Sequence, residues 1–182
     1  LGNVAEKTSV LDTDDEEKER GYSIESHVLN VPHQGKVLNF IDTPGAPDFT
    51  GMSIASLAAV ETALVVVHAA AGVQVNTRRM REYARNFGLA RMFVINRIDA
   101  ENARVADVLS SLQEAFGQQL TPVNLPAGGG KSVVDCFDHD SGQSDFASVA
   151  EMHRNIIERV VECDDALMNK YLEEGSVTME EV

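Results

Sequence analysis

The sequence contains no tryptophan, two cysteines, five prolines and little positive charge: 15 Lys and Arg stand against 29 Asp and Glu, a formal net charge of −14. Each shortage excludes something. Wrapping nucleic acid takes clustered Lys and Arg to neutralise phosphates, so a DNA-coating role is excluded and any contact with RNA must be local. Cys136 and Cys163 lie far apart with no C-x-x-C pairing, which predicts two free thiols in a reducing compartment rather than a disulfide framework. The five histidines include no H-E-x-x-H spacing and support no metal site. No run approaches 18 apolar residues and the amino end lacks a signal-peptide pattern, so a soluble, cytoplasmic chain with no membrane partner is expected. With 182 residues and 43% hydrophobic content, the chain has enough apolar material for one domain plus an appendage.

What is present centres on residues 36–50, KVLNFIDTPGAPDFT. An apolar strand over residues 37–41 delivers Asp42 at its carboxyl end, and the chain turns sharply through Thr43, Pro44 and Gly45. Ligands of open α/β sheets bind at such strand ends. A carboxylate there suits a hard cation such as Mg²⁺ held through water, and a glycine three residues on lets a backbone N–H approach a phosphate. D-x-x-G alone is also the composition of many ordinary turns.

A second motif strengthens the first. Asn96-Arg97-Ile98-Asp99 follows another apolar strand, over residues 92–95. An amide and a carboxylate at this spacing suit guanine: the amide meets the acceptor edge of the base, and the carboxylate accepts from N1–H and the exocyclic amine. Adenine would leave that carboxylate unpaired.

With these residues in view, the runs EEKERGYSI, FIDTPGAPDF and VINRIDAEN resemble the GTP-binding domain of translational GTPases, above all bacterial elongation factor G and its elongation-factor-G-like paralogues. NLPAG and the acidic helical tail over residues 146–175 resemble the insert that interrupts this domain. The resemblance implies an α/β fold: a P-loop-NTPase-like G-domain sheet, mainly parallel with helices on both faces, incomplete, with part of an α+β insert. It divides the chain into a partial GTP-binding domain without a P-loop, residues 1–126, and part of the insert, residues 127–182. GTP or GDP and Mg²⁺ would be the ligands. Asp42, Thr43, Pro44, Gly45 and Ala46 would lie at the phosphates, and Asn96, Arg97, Ile98 and Asp99 at the base. Ser23 stands where the family's Mg²⁺-binding threonine lies, and Asp42 would support the metal through water. The ribosome would be the partner, through its factor-binding site and stalk proteins.

The acidic residues 1–19 predict a solvated segment, matching the family's first switch loop, which is ordered only around Mg²⁺ and the γ-phosphate. Residues 24–31 and 36–41 predict an antiparallel hairpin around Pro32-His33-Gln34-Gly35. Residues 50–60, 74–87 and 103–116 predict helices. The apolar run over residues 62–67 predicts a strand covered on both faces, and a further strand spans residues 91–95. Strands alternating with helices predict a mainly parallel sheet. The Pro- and Gly-rich stretch after Leu120 marks the insert boundary near Pro126. GGGKS at residues 128–132 is no phosphate-binding loop, because that motif needs glycine where Leu125 stands. Residues 133–137 predict a strand, residues 148–174 one or two amphipathic helices closed by Gly175, and Thr178 to Glu181 a capping box.

Two positions depart from the family. Ala46 replaces the histidine that orients the attacking water in elongation factor G, and Arg97 replaces the lysine between Asn96 and Asp99; its stem and guanidinium can still lie along the base. The resemblance implies GTP hydrolysis on the ribosome, of elongation or translocation type. A ribosomal-protection or release-factor-type GTPase is one alternative, and a non-hydrolysing, GTP-gated ribosome-binding module, motivated by Ala46, is another. Family order places a P-loop before the first switch and a last guanine loop after the insert. Neither occurs in these residues, so the chain reads as an excised piece that alone binds GTP weakly or not at all.

Overall fold

The computed structural model describes residues 2–3, 6–11, 13–175, 177 and 181. The capping box expected at Thr178 to Glu181 lies outside the described residues as a unit. The chain divides into two compact units, residues 1–65 with 74–93 and residues 66–73 with 94–182.

In the first unit the acidic run is not merely solvated: it forms helix α1, Asp15–Arg20. Asp14 caps it by accepting from the Glu16 N–H at 3.0 Å, and Gly21 ends it in the left-handed region. Glu16–Arg20 and Asp15–Lys18 pairs lie along its surface. Local capping and a single buried side chain, Glu17, outweigh the charge density that favours an unstructured segment.

Strands β1, His27–His33, and β2, Lys36–Asp42, pair antiparallel, with His27 opposite Asp42 and His33 opposite Lys36. Gln34 and Gly35 close the hairpin with φ of 48° and 75°, the two-residue turn whose twist matches the strands. A single 3-10 turn, Pro47–Phe49, leads into α2, Thr50–Leu57. Helix α3, Val75–Asn86, begins on a reciprocal cap between Gln74 and Thr77.

Strands β3, Thr62–His68, and β4, Ala90–Asn96, form a parallel pair. The Ala90 N–H donates to the Glu61 carbonyl at one end, and the Ala69 N–H to the Asn96 carbonyl at the other, so both strands advance together. The α3 crossover makes this direction possible. Burial along β3 alternates: Ala63, Val65 and Val67 are buried, while Leu64 and Val66 are 44% and 60% exposed. The expectation of a strand covered on both faces is therefore corrected to one face among the described residues. In β4, Met92 and Val94 are exposed while Phe93 and Ile95 are half-buried.

The second unit carries α4, Val105–Phe116, the antiparallel hairpin β5, Asn124–Ala127, with β6, Ser132–Asp135, and helices α5, Val149–Val161, and α6, Asp165–Glu174. Strand β5 lies in the stretch whose Pro and Gly content suggests only a boundary, and Pro126 falls inside it. The chain breaks between α5 and α6 because Asp164 caps the second helix through the N–H groups of Ala166 and Leu167. Leu125, Cys136, Val149 and Ile156 form a core, with Met152 and Val160 against it. Cys163 is exposed, and both cysteines are free. Burial pushes the Cys136 thiol up from its ordinary value, and the Asp135 charge adds to this.

The described residues thus contain three two-stranded sheets, one of them parallel. Short turns force antiparallel pairing in the other two. This is a mixed α/β fold.

Leu112 in α4 is 2% exposed and Leu172 in α6 is 73% exposed. Leu112→Ala is expected to cost about 2–5 kcal/mol of stability, whereas Leu172→Ala stays within about 0.5 kcal/mol. Urea unfolding followed by circular dichroism measures both.

Candidate nucleotide site

The first unit holds the residues expected at the phosphates. Asp42 ends β2, and the Thr43-Pro44-Gly45-Ala46 turn leaves the hairpin there. Two side chains hold that turn by its carbonyls. Ser53 of α2, 5% exposed, donates its hydroxyl to the Pro44 carbonyl at 2.9 Å, and Asn76 of α3 donates its amide to the Gly45 carbonyl at 3.2 Å. A side chain at Gly45 would meet no atom within 4 Å, so a ligand oxygen has room to approach its backbone. The Asn76 side-chain oxygen is buried without a partner. Ala46, which opens the 3-10 turn, offers only a methyl group.

Ser23 meets Asp42 across the same unit: its hydroxyl donates to the Asp42 carboxylate at 3.4 Å. One hydroxyl and one carboxylate suit a magnesium ion that keeps several waters and takes phosphate oxygens, since that cation needs few protein ligands. The residues present fit the metal. Ser23 is placed by Glu17, whose side chain is completely buried. The Glu17 carboxylate accepts from the N–H groups of Ile24 at 2.8 Å, Glu25 at 3.1 Å and Asp14 at 3.4 Å. His27 approaches it at 3.7 Å and also meets Thr13 at 2.8 Å. Burial acts to raise the Glu17 pKa, but the three N–H groups, with His27 contributing, hold it below the ordinary 4.5.

The second unit holds the residues expected at the base. Asn96 ends β4, and Asn96, Arg97 and Asp99 are exposed while Ile98 is half-buried. Arg97 has φ of 57°, an uncommon value for a side chain of its size. Its N–H donates to the Asn96 side-chain oxygen at 2.8 Å, and its carbonyl accepts from the Ala100 N–H at 3.2 Å. The Asn96 oxygen is therefore engaged inside the loop, which leaves the amide N–H₂ as the group able to meet a purine acceptor.

The model of the elongation factor Tu GTP binding domain matches residues 2–179. The chain belongs to that family. Among relatives of the elongation factor Tu GTP-binding domain, an elongation factor G-like protein of Thermotoga maritima is 32% identical over 96% of this chain and 27% of its own length. Peptide chain release factor 3 of Lactococcus lactis is 34% identical over 71% of this chain and 25% of its own. A crystal structure from Thermus thermophilus superposes with a TM-score of 0.82 and 31% identity, over 98% of this chain and 29% of that one. The chain thus spans less than a third of the length of these relatives.

Sequence reasoning misses Glu17, Ser53 and Asn76 as site residues. Glu17 lies inside a run whose charge points to solvent exposure, and Ser53 and Asn76 reach the turn only through tertiary packing. A carboxylate whose folded pKa lies below 4.5 stabilises the protein above that pH and loses its contribution as pH falls through the folded value. Glu17→Gln is therefore expected to unfold more readily than the parent at neutral pH, with the gap narrowing in acid. Urea midpoints at pH about 7 and about 3 measure this.

Proposed function

We propose that this domain binds GTP and Mg²⁺ and serves a translation factor that hydrolyses GTP on the ribosome. The observation that carries the reading is the Ser23–Asp42 pair, 3.4 Å apart, beside a turn whose Pro44 and Gly45 carbonyls are already held by Ser53 and Asn76. Mg²⁺ would supply charge neutralisation at the phosphates, with Ser23 as a ligand and Asp42 supporting it through water. Thr43, Pro44 and Gly45 present backbone to the γ-phosphate. Asn96 donates to the guanine acceptor edge, Asp99 accepts from its N1–H and amine, and Arg97 and Ile98 flank the base. Loss of the γ-phosphate releases the segments around Ser23 and Gly45, which passes the state of the nucleotide to the rest of the factor.

The names of the relatives support this setting: one is an elongation factor G-like protein and another a peptide chain release factor. The factor-binding site and stalk proteins of the ribosome are the proposed partners, in the cytoplasm. Among the described residues no helix is long and apolar enough to cross a membrane. Residues 1–126 are proposed as the nucleotide-binding part and 127–182 as its insert. No G-x-x-x-x-G-K-[ST] occurs in the sequence, so the 182-residue chain by itself is proposed to bind GTP weakly.

Ala46 favours a second reading, a GTP-gated ribosome-binding module without turnover, because a methyl group cannot orient water. Multiple-turnover phosphate release by the natural gene product with ribosomes separates the two. Under the hydrolysing reading, Ala46→His raises ribosome-stimulated turnover; an unchanged rate shows that the imidazole is not what limits it. Asp99→Asn should shift preference from GTP towards xanthosine triphosphate, and competition binding on the same gene product measures it. Unaltered selectivity would refute the base assignment.

A further inference from the structure

Gly128, Gly129 and Gly130 link β5 to β6 with φ of 63°, 71° and 79°. Asp145 grips this turn with both carboxylate oxygens, accepting from the N–H groups of Gly129 and Gly130 at 3.1 Å each. The Asp145 N–H is in turn anchored on the Pro126 carbonyl at 2.9 Å. The other side of Gly130 is closed by backbone. A Cβ there would stand 2.1 Å from the Ile98 carbonyl oxygen, 2.6 Å from its carbon and 3.1 Å from the Asp99 nitrogen. Gly130 therefore lies directly on the peptide that joins Ile98 to Asp99, and no side chain fits between them.

We propose that the glycine turn of the β5–β6 hairpin is a positioning element for Asp99, which fixes the carboxylate that selects guanine. This rests on the base assignment of the preceding subsection. Within the loop, short-range bonds gather around Arg97, a residue already in an uncommon backbone region. Pressing a buried glycine against the Ile98–Asp99 peptide restricts where Asp99 can sit. Without that stop, the carboxylate has freedom to lose during binding, and the affinity for its partner falls.

The neighbouring glycine supplies the control. Gly129 has nearly the same φ, yet a Cβ there meets nothing within 4 Å. Gly129→Ala carries the backbone strain without the collision and keeps the N–H that Asp145 holds. The experiment measures binding of GTP and inosine triphosphate, which lacks the exocyclic amine, to the natural gene product and its variants. Gly130→Ala is expected to weaken GTP binding on the order of tenfold and to reduce the GTP-to-inosine ratio, whereas Gly129→Ala preserves that ratio. In an Asp99→Asn background, Gly130→Ala should change affinity little, because the group it positions has been altered. Asp145→Ala, which frees the turn without inserting an atom, should lower the ratio in the same direction and decides the matter if Gly130→Ala does not fold. Ratios equal to the parent's in the folded variants would overturn the inference. A parent protein that fails to prefer GTP over ATP would instead overturn the base assignment beneath it.

Discussion

A loop at the end of a strand has backbone groups that no ladder satisfies, and every candidate binding loop in this chain meets that constraint with side chains. The Glu17 carboxylate takes the N–H groups of Ile24 and Glu25, while Ser53 and Asn76 take the carbonyls of Pro44 and Gly45. The Asn96 oxygen takes the Arg97 N–H, and Asp145 takes two glycine N–H groups. These bonds decide which backbone atoms are used up internally. They also decide which surfaces remain open to a ligand, as beside Gly45.

Glu17 illustrates how strongly such a constraint can act. A fully buried carboxylate is costly unless its oxygens are satisfied, and here three N–H groups and a nearby imidazole do so. The same bonds tie helix α1 to the residues that flank Ser23. A segment rich in like charge thereby acquires one defined arrangement, with most of its other acids left in water.

In the proposed function, the departures at Ser23, Ala46 and Arg97 bear on different parts of the chemistry. Serine keeps the hydroxyl that a hard cation needs, so that change is conservative for metal binding. Arginine keeps a stem and a flat cation beside the proposed base. Alanine keeps neither donor nor acceptor at the position beside the Pro44–Gly45 turn, and in the proposed function the consequence falls on water orientation. Under the proposed roles, the residues at 23 and 97 bear on binding and the residue at 46 on turnover.

Much of the local architecture was legible in the sequence because it depends on neighbours along the chain. The Gln34–Gly35 hairpin and the α/β alternation follow from turn chemistry and period, and D-T-P-G and N-R-I-D stand out as motifs. Family membership was carried by the same motifs. Composition alone did not reveal the helix over 15–20, since capping by Asp14 and burial of Glu17 are matters of geometry rather than charge count. Nor could an apolar run such as TALVVV say that one face of β3 stays open, because exposure depends on what packs against the strand. The contacts of Ser53, Asn76 and Gly130 lie furthest from sequence reasoning: hydroxyl, amide and glycine are common residue types, and only folding brings them against the backbone of a distant loop.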